Sequence, residues 1–305
     1  MALNGLVKSG FVSILGLPNA GKSSFLNAVI NDNIAITSKK PQTTRKNLKG
    51  IYNDEGAQIV FVDTPGIHDV KNKLDDYMSK SISKSIDDID LIVVIVDIMT
   101  YETDKYDKIV KKISKSKAKK VLIVNKCDLV EYDEGQVLNA INEKFGKDIV
   151  FEKVFFISAL KNKNIKTVIE YIKNELPEGS RYYSEDDLTD EPMKQIVADM
   201  IRQQCLYKLD KEIPHGIAVI VNSMKKSKTK CMNIDATIIC ERDSHKGIII
   251  GKSGSMIKNI GTGSRISIEK FIDSKVNLKL DVIVKNNWRD EKTLLANYGY
   301  DGKEL

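Results

Sequence analysis

Gly16-Leu17-Pro18-Asn19-Ala20-Gly21-Lys22-Ser23 is the stretch whose reading decides the fold. It has the form GxxxxGK[ST], closes an apolar run at 11–15 and opens a helical stretch, which is the context that pattern requires. Its glycines let the backbone curl until several N–H groups point at one anion. A helix N-terminus behind the loop adds positive potential. In that setting Lys22 is expected to reach the outer phosphates of a nucleotide, and Ser23 to ligate Mg²⁺. A chance glycine turn is the competing reading, and the neighbouring segments decide against it.

Working outward, 47–52 and 58–62 read as two strands around the turn Asn53-Asp54-Glu55-Gly56. Continuous apolar runs at 91–96, 121–124 and 154–157 are what strands covered on both faces require. Amphipathic stretches at 104–114, 134–145 and 165–176 lie among them. The alternation predicts an α/β domain with a mainly parallel sheet and helices on both faces. Such sheets bind ligands at the carboxyl ends of their strands, where the remaining motifs fall.

Asp63-Thr64-Pro65-Gly66 follows the strand at 58–62. A carboxylate there can hold Mg²⁺ through water, and Gly66 leaves a backbone N–H for a terminal phosphate. Asn125-Lys126-Cys127-Asp128 follows 121–124 and chooses the base. Asp128 offers two acceptor oxygens to the adjacent N1–H and 2-amino donors of guanine. Adenine lacks both and would leave a buried carboxylate unpaired. Lys126 can lay its aliphatic stem along the purine. The backbone of Ser158-Ala159-Leu160, after the last strand, can meet guanine O6.

In this order the motifs resemble those of translation-factor-type GTPases, over about residues 10–176. The resemblance implies binding of GTP and GDP with Mg²⁺, and hydrolysis of GTP. It places Lys40-Pro41-Gln42-Thr43-Thr44-Arg45 at the first switch. Thr44 is then the expected Mg²⁺ ligand beside Ser23 and Asp63, with Thr43 as the alternative. Ile67 stands where Ras-like proteins carry a water-orienting glutamine, so intrinsic turnover should be slow. Related GTPases with asparagine at the Asn19 position bind K⁺ against the phosphates, which implies a K⁺-stimulated reaction carried by Lys22, Thr44, Gly66 and Asn19. Asn19 capping a turn is the other reading. His68 reads as a solvated switch-loop side chain rather than a general base.

The composition changes after Leu176. Pro177-Glu178-Gly179 stops a helix and an acidic stretch follows, so 177–190 reads as a linker between domains at 1–176 and 191–305. Beyond it, 191–209 looks helical with Pro192 in its first turn. Strands are expected at 217–222 and 234–240, joined by a lysine-rich turn at 225–230. Then come Gly247-Ile248-Ile249-Ile250-Gly251-Lys252-Ser253-Gly254, a helical stretch to Phe271 and a half-buried strand at 276–284. A GxxG loop between two helices, in the order helix, strand, strand, helix, helix, strand, resembles a type II KH domain, a smaller α+β module. The implied RNA contacts are Gly251, Lys252, Ser253 and Gly254, with Lys246 and Lys258 nearby and Arg242, Arg265 and Lys270 extending the patch.

Joined in this order, the two halves resemble the Era family of bacterial and organellar GTPases, from about residue 8 to 287. The resemblance implies a monomer that binds small-subunit ribosomal RNA near its 3′ end and assists 30S subunit assembly. Some members associate peripherally with the inner membrane. Trp288-Arg289 matches a family W-R segment, while Leu294-Leu295-Ala296-Asn297-Tyr298-Gly299-Tyr300 departs from the usual LxxLGY ending. Trp288 is expected to pack the end of the chain, with stacking on RNA as the alternative. The net charge of +6 favours polyanionic partners only where it is clustered. Four cysteines without a CxxC pair point to a reducing compartment. Residues 1–8 lack a signal-like apolar core, and no run is long enough to span a bilayer, so the cytoplasm is the expected location.

Overall fold

The apolar runs become the central strands of a sheet. The computed structural model describes residues 6–146, 148–227 and 231–301. They fold into two units: one runs to Asp69 and again from Met78 to Asp190, and the other takes Val70–Tyr77 and everything from Glu191 onward.

The first unit contains β1 (Val7–Gly16), α1 (Lys22–Ile30), β2 (Leu48–Asn53), β3 (Ala57–Asp63), most of α2 (Lys73–Lys84), β4 (Leu91–Asp97), α3 (Asp107–Ile113), β5 (Lys119–Asn125), α4 (Glu134–Phe145), β6 (Lys153–Phe156), α5 (Ile165–Glu175) and β7 (Glu178–Gly179). The strand order is β2-β3-β1-β4-β5-β6, with β7 paired to β1. Strands β3, β1, β4, β5 and β6 run parallel to one another, while β2 is antiparallel to β3 and β7 to β1. On one face, Ile92, Val94 and Val96 of β4 and Leu122 and Val124 of β5 share a core with Ile82, Ile109, Ile113, Val137 and Ile141 from the helices. The intervening Val93, Ile95, Val121 and Ile123 are equally buried, so both faces are covered as continuous apolar strands require.

Helix α2 is absent from the sequence reading. Its buried Leu74, Tyr77, Met78 and Ile82 do follow helical spacing. The expected helix at 104–114 begins as a 3₁₀ turn, Asp104–Tyr106, before α3. Where α4 starts, Asp133 caps the chain by accepting from the Gln136 N–H at 2.8 Å.

The expected linker at 177–190 is tied along the first unit. Ser9 N donates to Pro177 O at 3.0 Å and Ile51 N to Leu188 O at 2.9 Å. The buried Gln58 amide accepts from Tyr182 N and Tyr183 N at 2.6 and 3.0 Å, and donates to Tyr183 O at 2.9 Å. Lys49 pairs with Asp190 at 2.7 Å. The physical cause is local: β2 is an edge strand with open backbone groups, and a buried amide needs partners. The strap supplies both.

In the second unit α6 (Met193–Lys208), β8 (Ala218–Lys226), β9 (Met232–Cys240), α7 (Asp243–Ile250), α8 (Ser255–Ile272), β10 (Val276–Val284) and α9 (Lys292–Asn297) follow in order. The sheet order is β10-β9-β8, with β8 antiparallel and β10 parallel to β9. Pro192 precedes the first helical residue of α6, because its ψ of 137° is extended. Of the lysine-rich turn at 225–230, residues 228–230 lie outside the described residues. The inward face of β9, Ile234, Ala236 and Ile238, packs with Val197, Ile201 and Cys205 of α6 and Ile260 and Ile268 of α8. Trp288 is fully buried, donates Nε1–H to Gly216 O at 2.9 Å and lies against Tyr298 and Tyr300. It is a packing residue, and base stacking is excluded by that burial.

Replacing Gln58 by Leu strands three backbone groups of the strap, at a cost of about 1–3 kcal/mol. Urea denaturation should show that loss, and limited proteolysis should show faster cleavage within 181–190. Unchanged stability and protease resistance would contradict the role given to Gln58.

Candidate functional site

The loop 16–23 leaves the carboxyl end of β1 and enters α1 through Gly21, whose φ of 97° an L side chain rarely adopts. A Cβ there would also lie 2.2 Å from Asn125 Nδ2. Lys22 is buried and donates to Gly16 O and Leu17 O at 3.3 and 3.1 Å. Burial pushes its ammonium down to about 8, against the opposing pull of Asp63.

Asp63 ends β3 fully buried. Its Oδ2 accepts from Ser23 Oγ at 2.7 Å and from Thr44 Oγ1 at 3.3 Å, and the two hydroxyls lie 2.9 Å apart. Its other oxygen, Oδ1, is buried without a hydrogen-bond partner among the described residues. Burial raises the carboxyl above its usual range, against Lys22 and the two hydroxyls. Three hard oxygen donors, one on a carboxylate with an oxygen to spare, are a fitting set for a small divalent cation. Thr44, not Thr43, reaches this cluster, since Thr43 Oγ1 donates to Lys40 O at 2.8 Å.

Gly66 passes so close to the loop that a Cβ would lie 2.7 Å from Pro18 N. Beside it Ile67 is buried in the core with Leu17. His68 Nδ1 sits 2.7 Å from Gly66 O, within its own turn. Asn19, at φ 65°, donates Nδ2–H to Lys39 O at 2.8 Å, which leaves its amide oxygen as the remaining polar atom. A cavity of about 470 Å³ opens beside the loop between Pro18, Pro41, Ile67 and Tyr106. Lys22, Ser23, Asp63 and Asp128 do not line it, so the cradle is a surface of the strand ends rather than this hollow.

At the next strand end Asn125 joins three loops. Its Nδ2–H donates to Ala20 O at 3.0 Å, and its Oδ1 accepts from Ala159 N at 3.0 Å. Lys126 has φ 66°, and its ammonium meets Asp97 Oδ2 at 2.7 Å. The sequence reading missed Asp97, although it ends the apolar run of β4 at the same edge of the sheet. Cys127 N donates to Ile157 O at 3.0 Å. The Asp128 side chain is exposed. Ser158 is fully buried and takes the Lys161 N–H on its hydroxyl at 3.1 Å. With the Ala159 and Lys161 N–H groups engaged, Leu160 carries the donor between them.

In the second unit Gly251, at φ 74°, ends α7 and Gly254, at φ 76°, opens α8. A Cβ on Gly251 would lie 2.7 Å from Met256 Cβ, whereas one on Gly254 would meet nothing within 4 Å. Lys252, Ser253, Lys258, Lys270 and Arg242 are exposed, and Lys246 is half-buried. Ile248 beside the loop is 50% exposed, an apolar residue open to solvent next to these cations. Arg265 pairs along its own helix with Glu269 at 3.1 Å.

Residues 11–126 match the model of the 50S ribosome-binding GTPase family, and residues 212–289 that of the KH domain. GTPase Era of Clostridium kluyveri is 45% identical over 97% of this chain and all of its own length. GTPase Era of Clostridioides difficile is 44% identical over 98% of this chain and all of its own. Among solved structures, a point variant of Aquifex aeolicus Era bound to GDP and aluminium fluoride superposes with a TM-score of 0.92 at 32% identity, covering 97% of this chain and 100% of that one. An Era complex with MgGDPNP and nucleotides 1506–1542 of 16S ribosomal RNA also gives 0.92 at 32% identity, over 97% and 99%. Two domain models in the right order and near full-length similarity agree with the site: this chain belongs to the Era family of GTPases, with a GTP-hydrolysing unit followed by a KH RNA-binding domain.

Proposed function

We propose that this chain is a GTP-driven switch that binds the 3′ region of 16S-type ribosomal RNA and assists assembly of the 30S subunit. The observation that carries the reading is the convergence of Ser23, Thr44 and Asp63, from three separate segments, within 2.7–3.3 Å. The related complex with MgGDPNP and a 16S fragment supports the choice of ligands.

The N–H groups of 16–23 and the Lys22 ammonium hold the β- and γ-phosphates. Phosphate supplies the negative charge that keeps buried Lys22 protonated. Ser23, Thr44 and Asp63 would hold Mg²⁺, which when bound would neutralise charge on the phosphate oxygens. Asp128 accepts from guanine N1–H and the 2-amino group, the Lys126 stem covers the purine with its head fixed by Asp97, and Leu160 N–H meets O6. Gly66 presents its N–H toward the γ-phosphate. Ile67 cannot orient water by hydrogen bonding, so unaided hydrolysis is slow. The free amide oxygen of Asn19 suits K⁺, which would supply the missing positive charge. The buried Ile67 also sustains a second reading, a GTP-gated RNA scaffold with negligible turnover.

In the KH unit, the side-chain-free approach at Gly254 admits an RNA backbone, and Lys246, Lys252 and Lys258 face its phosphates. Ile248 extends an apolar surface for unstacked bases.

The test is GTP turnover by the full chain in KCl and in NaCl, with and without an oligonucleotide from the 3′ end of 16S rRNA. Slow turnover, raised by RNA and by K⁺, is expected. Tight RNA binding with no measurable turnover in any condition would favour the scaffold, and equal rates in the two salts would remove K⁺. Thr44→Val should lower turnover by at least about 10-fold and raise the Mg²⁺ requirement, while Thr43→Val stays near wild type; the reverse ranking in a Mg²⁺ titration would reassign the ligand. Joint replacement of Lys252 and Ser253 by Asp should weaken binding of the oligonucleotide by about 10-fold or more and leave nucleotide affinity intact. Fluorescence anisotropy with each ligand reads both, and retained RNA binding would remove the GxxG loop from the interface.

A further inference from the structure

We propose that the lysine-rich face formed by α3 and the segment after it is a second RNA-contacting surface, one that grips the phosphate backbone of double-stranded RNA. It extends the RNA-binding reading to the first unit and uses none of the GxxG residues.

Residues 105–120 hold Lys105, Lys108, Lys111, Lys112, Lys115, Lys117, Lys119 and Lys120 against the single acid Asp107. That local excess is larger than the +6 of the whole chain. Helix periodicity sorts the segment. Ile109, Val110 and Ile113 enter the core, so the lysines spaced three and four apart are left on the outer side.

Few of these charges are neutralised internally. Asp107 faces Lys144 at 3.9 Å, on another helix. Lys108 pairs with Asp69 and Lys119 with Glu175. Lys112 turns onto Ser83 Oγ at 2.9 Å, and Lys120 onto Ser116 O at 2.7 Å. Lys105, Lys111, Lys115 and Lys117 are exposed and have no carboxylate in ion-pair range among the described residues. Crowded like charges work against a compact fold. A polyanion relieves that repulsion and releases counterions as it binds.

The composition of the face selects the polyanion. A helix seated on an anionic membrane buries an apolar side, but here that side is consumed by the core. No large apolar side chain between Met99 and Leu129 is highly exposed. Single-stranded RNA is held by stacking on aromatic rings, and the segment's one aromatic, Tyr106, is buried. What remains is a set of flexible ammonium groups without a stacking platform, which matches the phosphate-dominated recognition of an RNA duplex.

The test compares the full chain with a Lys111→Gln/Lys115→Gln/Lys117→Gln variant. Binding to a blunt RNA duplex of about 16 base pairs is followed by anisotropy across a KCl series. The variant should bind about 10-fold or more weaker at low salt, and the slope of log affinity against log salt should fall by about 2 to 3. The Lys→Arg triple should restore both, and all proteins should bind GTP and melt alike. The GxxG variant (Lys252→Asp/Ser253→Asp) should keep duplex binding while losing the single-stranded oligonucleotide. If it keeps the oligonucleotide instead, the KH reading fails and the duplex reading stands. A wild-type slope in the glutamine triple would overturn the proposal. So would a triple that loses only phosphatidylserine-containing vesicles and retains the duplex, because the face would then belong to a membrane surface.

Discussion

The Asn125 side chain is the tie on which the nucleotide cradle depends. One amide, at the carboxyl end of β5, donates to the loop after β1 and accepts from the loop after β6. The loops after β1 and β6 thereby share one rigid reference, the edge of the parallel sheet. Gly21 completes the arrangement, since any Cβ would occupy the place of the Asn125 amide. Spatial closeness of motifs that lie about a hundred residues apart is thus fixed by a short-range contact as well as by the sheet.

Electrostatics around that cradle follow from burial. Lys22 and Asp63 are each shifted toward their neutral forms, and each partly corrects the other. Ligand phosphate and a divalent cation would add the charges that both groups lack in the protein alone, so binding and ionisation reinforce one another. The Thr44 hydroxyl joins the same cluster, which links the loop between α1 and β2 to the start of α1 and the end of β3.

The strap at 177–190 changes what its acidic composition suggests. A polar stretch between domains reads as a tether, yet here it satisfies an edge strand and the buried Gln58 amide. Residues 177–190 are therefore part of the first unit rather than a free tether. Basic charge shows the converse. A net +6 looks modest across the chain, but residues 105–120 concentrate lysine on one outward surface while the remaining charges largely offset each other.

Much of this protein is determined by local sequence. Continuous apolar runs fix the parallel strands, because only side chains covered on both faces tolerate such runs. Glycine at 16, 21, 251 and 254 marks where the backbone must turn tightly or be approached closely. The places of Asp63 and Asn125 were legible because each closes an apolar run that becomes a strand, with Asp128 three residues further on. Helix α2 was legible in its spacing but weak, four apolar residues among lysines, serines and aspartates. Other features depended on tertiary structure: which threonine meets Asp63, that Asp97 fixes Lys126, that Arg265 is held by its own helix, that Trp288 is sealed inside, and that the linker is a strap. Each turns on a contact between side chains or backbone groups whose distance the one-dimensional pattern does not specify, and only the folded chain sets those distances.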